Sequence, residues 1–132
     1  TPNLPEAARL LNEPEVTHPA DMAAQAQRLH ALGPRAVLIK GGHASGSICI
    51  DVLIDAQGRV STFEAPRINT RNTHGTGCTY SAAIAAHLAH GRDLKDAVTA
   101  AHHYLQAAIK AADQLRIGKG HGPVHHFHGQ WT

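Results

Sequence analysis

The distribution of apolar and polar positions along this chain predicts helices alternating with strands. Pro5 to Asn12 and Pro19 to Leu32 are rich in Ala, Leu, Glu, Gln and Arg, all helix-favouring, and each opens on a proline that a first turn tolerates. Gly33-Pro34 ends the second segment. The run Ala36 to Lys40, "AVLIK", is short, apolar and suited to a buried strand. Ile48 to Asp55 and Arg59 to Ala65 alternate well enough for two more strands, and the intervening "AQG" reads as a hairpin loop. Two further helices are expected over Gly77 to His90 and Leu94 to Leu115, split by Gly91, before a glycine- and histidine-rich tail of irregular structure. Neither an internal repeat nor a second domain is visible. The fold class is α/β: one domain over residues 1–132, with a small mixed sheet and flanking helices.

Composition narrows the classes of function. At 132 residues, 42% hydrophobic and 17% charged, the chain can bury a core and is expected to fold. A formal charge of +2 does not call for nucleic acid or an anionic membrane. No apolar run reaches membrane-spanning length, and the first residues do not read as a signal peptide. Two cysteines make no disulfide framework and suit a reducing cytoplasm.

The chemistry concentrates in "NTHGTGCTYSAAIAAHLAHG", Asn72 to Gly91. Glycines at 75 and 77 let backbone N–H groups converge and let a ligand approach closely. The helix that follows adds unpaired N–H groups and the positive end of its dipole, making an anion hole suited to phosphate. A thiol in that field, Cys78, is placed to act as base or nucleophile. The alternative is a glycine-containing turn with a small buried cysteine packed beneath it. The second glycine is followed by neither Lys-Ser nor Lys-Thr, so this is not a P-loop, and no serine occupies a G-x-S-x-G elbow.

"RINTRNTHGTGCTYSAAIAAHLAHG", "VLIKGGH" and "GHGPVHHFH" together resemble the hydroxymethylpyrimidine/phosphomethylpyrimidine kinases of thiamine biosynthesis, within the ribokinase-like superfamily. The resemblance runs from Thr1 to about Trp131. It implies the C-terminal part of a ribokinase-like fold and an ATP-dependent enzyme that phosphorylates hydroxymethylpyrimidine and then its monophosphate. The glycine loop ends in cysteine where most ribokinase-like relatives carry aspartate, which implies Cys78 as catalytic base, with Gly75, Thr76 and Gly77 around the transferred phosphoryl group. "NLPE" looks like the family's N-x-x-E element and implies Asn3 and Glu6 near Mg2+, with Asn3 also near the nucleotide. Hard oxygen donors of this kind suit a cation that keeps most of its waters. An Asn cap and a first-turn Glu would also serve a helix start, and both roles are compatible. Lys40, at the carboxyl end of the predicted strand, joins Gly75 and Gly77 as an expected ATP contact.

Full family members are about twice as long, and their N-terminal half supplies most of the pyrimidine pocket. The chain opens without methionine, at "TPNLPEAARLL", as a processed or truncated product would. A sheet without its neighbours would favour self-association, so a homo-oligomer is expected. Competing readings are a pyridoxine/pyridoxal kinase, a non-catalytic nucleotide-binding or assembly fragment, and a thiol hydrolase pairing Cys78 with His74. His121, His125, His126 and His128 invite a metal site, but the Gly and Pro among them interrupt the helix that would align them.

Overall fold

The computed structural model describes residues 1–42 and 44–131, which form two compact units, Thr1–Arg67 and Ile68–Thr132. In the first unit, helices α1 (Leu4–Leu11) and α2 (Pro19–His30) precede strands β1 (Val37–Ile39), β2 (Ile48–Ile54) and β3 (Val60–Pro66). Asn3 caps α1, and Asn12 closes it in the left-handed region at φ 54°. His18 caps α2 by accepting the Ala20 N–H. The sheet has the order β1-β2-β3 and its ladders are antiparallel throughout. Parallel pairing enters as an isolated bridge between Asn3 and Lys40.

Alternation along the strands decides what packs where. Val37 and Ile39 on β1, with their partners Ile54 and Val52 on β2, join Leu4, Ala7, Met22, Ala26 and Leu29 from the two helices in one core. Leu38 and Leu53, paired between them, point to the opposite face and are buried as well. Burying each such aliphatic side chain stabilises the fold by roughly 1.5–3 kcal/mol. The hairpin read from "AQG" is present: Gly58 adopts φ 76°, and the Asp55 carboxylate accepts the backbone N–H groups of Gln57 and Arg59 while pairing with the Arg59 side chain at 2.7 Å.

The second unit packs α3 (Thr76–Ala89) against α4 (Leu94–Lys110). Asp93 caps α4 through the Asp96 N–H, and Gly91 at φ 80° turns the chain between the helices. α4 presents Ala97, Val98, Ala101, Leu105 and Ala108 to the interior at helical spacing. The α-helix expected to reach Leu115 stops at Lys110 and gives way to a 3-10 turn over Ala112–Gln114. The Ala108 carbonyl, which a continuing helix would offer to the Ala112 N–H, accepts the His125 N–H at 3.0 Å, while the Ala112 carbonyl accepts both the Leu115 N–H of the tighter turn and the Asn72 side chain. Among the described residues, no helix is long and apolar enough to cross a membrane.

Candidate active site

Two groups of residues carry the expected chemistry, one in each unit. In the first, the Asn3 side chain accepts the Glu6 N–H and the Glu6 carboxylate accepts the Asn3 N–H, both at 2.8 Å. This reciprocal pair is a capping box, and it fixes Glu6 at the opening of α1. Lys40, directly after β1, bridges Asn3 and donates its backbone N–H to the Pro2 carbonyl at 2.9 Å. Asn3, Glu6 and Lys40 therefore meet at one corner of this unit. Glu6 is exposed and Lys40 half-buried.

The segment after Lys40 is held by residues without an assigned role in the sequence reading. Gly41 is buried and donates its N–H to the Asp51 carboxylate at 2.9 Å. The Arg67 guanidinium donates to the carbonyls of Gly46 at 2.7 Å, Gly42 at 2.8 Å and Ala44. Its backbone N–H adds a bond to Ser47 at 2.7 Å. A lone arginine gives no local hint of such a role, since its partners lie 21 to 25 residues earlier.

In the second unit, Gly75 is the N-cap of α3 at φ 85°, a left-handed conformation that glycine adopts at little cost. Thr76, Gly77 and Cys78 form the first turn behind it. No side chain caps this end, and its first turn holds no acidic residue. The Thr76 N–H donates to the Thr73 carbonyl at 3.3 Å, so the amides of Gly77 and Cys78 and the dipole's positive end are the groups left for an external anion. Cys78 is exposed in this chain, not buried beneath the turn. The Thr76 hydroxyl donates to the Thr73 carbonyl and tightens the loop.

A cleft of about 660 Å³ opens in the same unit, lined by residues 69–72, 113 and 115–120. Three cationic side chains, Arg71, Arg116 and Lys119, border it beside Asn72 and Asp113. The glycine-lysine run from Gly118 to Gly120 is the sequence signal for this wall, although its composition alone predicts only an irregular tail. The tail histidines have separate contacts. His121 meets the Arg71 carbonyl, His126 the Thr79 hydroxyl and His128 the His125 carbonyl. Among the described residues, no group of three or more His, Cys, Asp or Glu side chains is placed to hold a metal.

The phosphomethylpyrimidine kinase family model matches residues 1–125. The chain belongs to the phosphomethylpyrimidine kinase family. It is 53% identical over 131 residues to the hydroxymethylpyrimidine/phosphomethylpyrimidine kinase of Rhizobium meliloti, an alignment covering 99% of this chain and 49% of that protein. The ADP complex of Bacillus subtilis pyridoxal kinase superposes with a TM-score of 0.89 at 37% identity, covering 99% of this chain and 48% of the other. Staphylococcus aureus pyridoxal kinase in complex with AMP-PCP and pyridoxal gives a TM-score of 0.89 at 31% identity, covering 98% and 47%. The chain thus spans about half the length of these relatives, and its α/β fold is theirs.

Proposed function

We propose that the protein transfers the γ-phosphoryl group of ATP to hydroxymethylpyrimidine and to its monophosphate, and that this chain handles the nucleotide. The observation that carries the reading is the exposed Cys78 thiol in the uncapped first turn of α3, behind left-handed Gly75. The amides of Gly77 and Cys78 and the helix dipole stabilise charge on the transferred phosphoryl group, the main contribution in this chemistry. Cys78 accepts the proton from the attacking hydroxyl or phosphate oxygen. Lys40 offers a positive charge to the ATP phosphates. The cleft bordered by Arg71, Arg116 and Lys119 is of a size for the rest of the nucleotide and lies in the same unit as the glycine loop.

Asn3 and Glu6 fit a magnesium site in donor chemistry. Both present oxygen, and Glu6, although it spends one carboxylate oxygen on the capping box, is exposed to solvent. With so few protein donors, the ion would keep most of its coordination to water and phosphate, as Mg2+ prefers. When bound it would neutralise phosphate charge.

A pyridoxal kinase reading is favoured by the similarity to two solved enzymes of that name. The two are separated by supplying ATP with hydroxymethylpyrimidine phosphate or with pyridoxal to the protein expressed from its complete coding sequence. Mass spectrometry of the products then reads the acceptor. Pyrimidine pyrophosphate as the main product supports the proposal, and pyridoxal phosphate alone supports the other.

A further inference from the structure

The tail "GHGPVHHFH" is in the same unit as the glycine loop and touches it at several points. The His74 N–H donates to the Gly122 carbonyl at 3.0 Å and the Val124 N–H returns to the His74 carbonyl at 3.2 Å, forming a parallel bridge between His74 and Pro123. Four residues after Gly122, the His126 ring meets the Thr79 hydroxyl at 2.9 Å, next to Cys78 on α3. The tail is itself tied to α4, through the His125 N–H to the Ala108 carbonyl at 3.0 Å and the Tyr104 hydroxyl to the His126 carbonyl at 2.8 Å.

Where the loop begins, Asn72 is held by groups remote in sequence. Its side-chain amide donates to the Ala112 carbonyl at 3.1 Å and the Asp113 carboxylate at 3.0 Å. Its backbone N–H donates to the Thr70 hydroxyl, which in turn donates to Asp113. Gly122 packs directly on this side chain. A Cβ at position 122 would lie 2.0 Å from the Asn72 amide oxygen and 2.7 Å from its Cγ. Because the amide is bonded at its other end, it is no free flexible tip that could swing aside. The backbone of Gly122 is not left-handed, so glycine is needed there for space. Gly75 is the opposite case: φ is 85°, and the nearest atom to an added Cβ is 3.9 Å away.

We propose that the tail braces the anion-binding loop, with Gly122 and Asn72 as the positioning residues that set where Gly77 and Cys78 present their amides. This extends the kinase reading above and rests on it for the identity of the anion. Gly122 lies outside the cleft lining and Asn72 within it, so the loop's hydrogen exchange, rather than ATP affinity alone, separates bracing from direct contact. An anion hole depends on amides held to within fractions of an ångström, and a loosened supporting layer weakens it.

The test is a double-mutant cycle of Gly122→Ala, Asn72→Ala and the pair, in the protein expressed from its complete coding sequence. Two quantities are read: ATP affinity by calorimetry, and amide hydrogen exchange over residues 72–78. Each single variant should bind ATP on the order of tenfold more weakly and exchange faster over that segment. The double variant should be no worse than Asn72→Ala alone, because removing the amide restores room for the new Cβ. If Gly122→Ala does not fold, recovery of folding in the double variant supports the same contact. Wild-type exchange in Gly122→Ala, or a double variant showing the sum of both losses or failing to fold, overturns the inference. Absence of ATP binding by the unmutated protein would instead count against the kinase reading, and the exchange data would still decide the brace.

Discussion

The Gly41 N–H donates to the buried Asp51 carboxylate at 2.9 Å, which ties the residue after Lys40 to the middle of β2. The same glycine has no space for a side chain: an added Cβ would lie 1.9 Å from the Ile50 carbonyl oxygen, a backbone atom that cannot step aside. Gly41→Ala is therefore expected to destabilise the protein by about 2–4 kcal/mol through forced backbone movement. Gly42→Ala meets nothing within 4 Å and should fall within about 0.5 kcal/mol of the unmutated protein. Chemical denaturation of the two variants checks the contrast, and equal effects would refute it.

The two thiols should differ in reactivity. Burial holds the Cys49 thiol above its ordinary pKa; nearby Arg67 opposes this and Asp51 adds to it. A raised thiol pKa means less thiolate at any given pH below it, so alkylation of Cys49 should be slow near neutrality and accelerate only as the pH is raised. Cys78 is exposed and should label first with iodoacetamide at pH 7.5. Peptide-resolved mass spectrometry follows both sites, and faster labelling of Cys49 would contradict this placement of the thiols.

The capping box separates two roles for the first turn. Asn3→Ala removes the side chain that accepts the Glu6 N–H and should cost about 1 kcal/mol of stability. Glu6→Gln keeps an acceptor for the Asn3 N–H and should leave stability nearly unchanged. It also removes the negative charge, so the magnesium concentration giving half-maximal turnover should rise. Unchanged magnesium dependence in Glu6→Gln would leave the carboxylate as a helix cap alone.

What could be read in the sequence was local. The helix-opening position of Cys78, the hairpin at Asp55–Arg59 and the apolar strand before Lys40 follow from residues adjacent in the chain. Boundaries failed where a distant partner intervenes: α4 stops at Lys110, where the Ala108 carbonyl that a continuing helix would offer to the Ala112 N–H accepts the His125 N–H from the tail instead. Arg67 and Gly122 escaped notice for the same reason, since one is defined by carbonyls far upstream and the other by an amide across the fold. The exposure of Cys78 was also undetermined, as the residues around it on α3 are small or apolar on every side.

The central claim is that Cys78 performs proton transfer at an ATP-binding glycine loop. Its most direct measurement is turnover and ATP affinity of Cys78→Ala, in the protein expressed from its complete coding sequence, with hydroxymethylpyrimidine phosphate as acceptor. Loss of a proton acceptor in the transition state predicts kcat lower by about 10²–10⁴-fold, with ATP affinity within about twofold of the unmutated protein. Unchanged kcat, or parallel losses in kcat and ATP affinity, would contradict it and make Cys78 a structural part of the helix start.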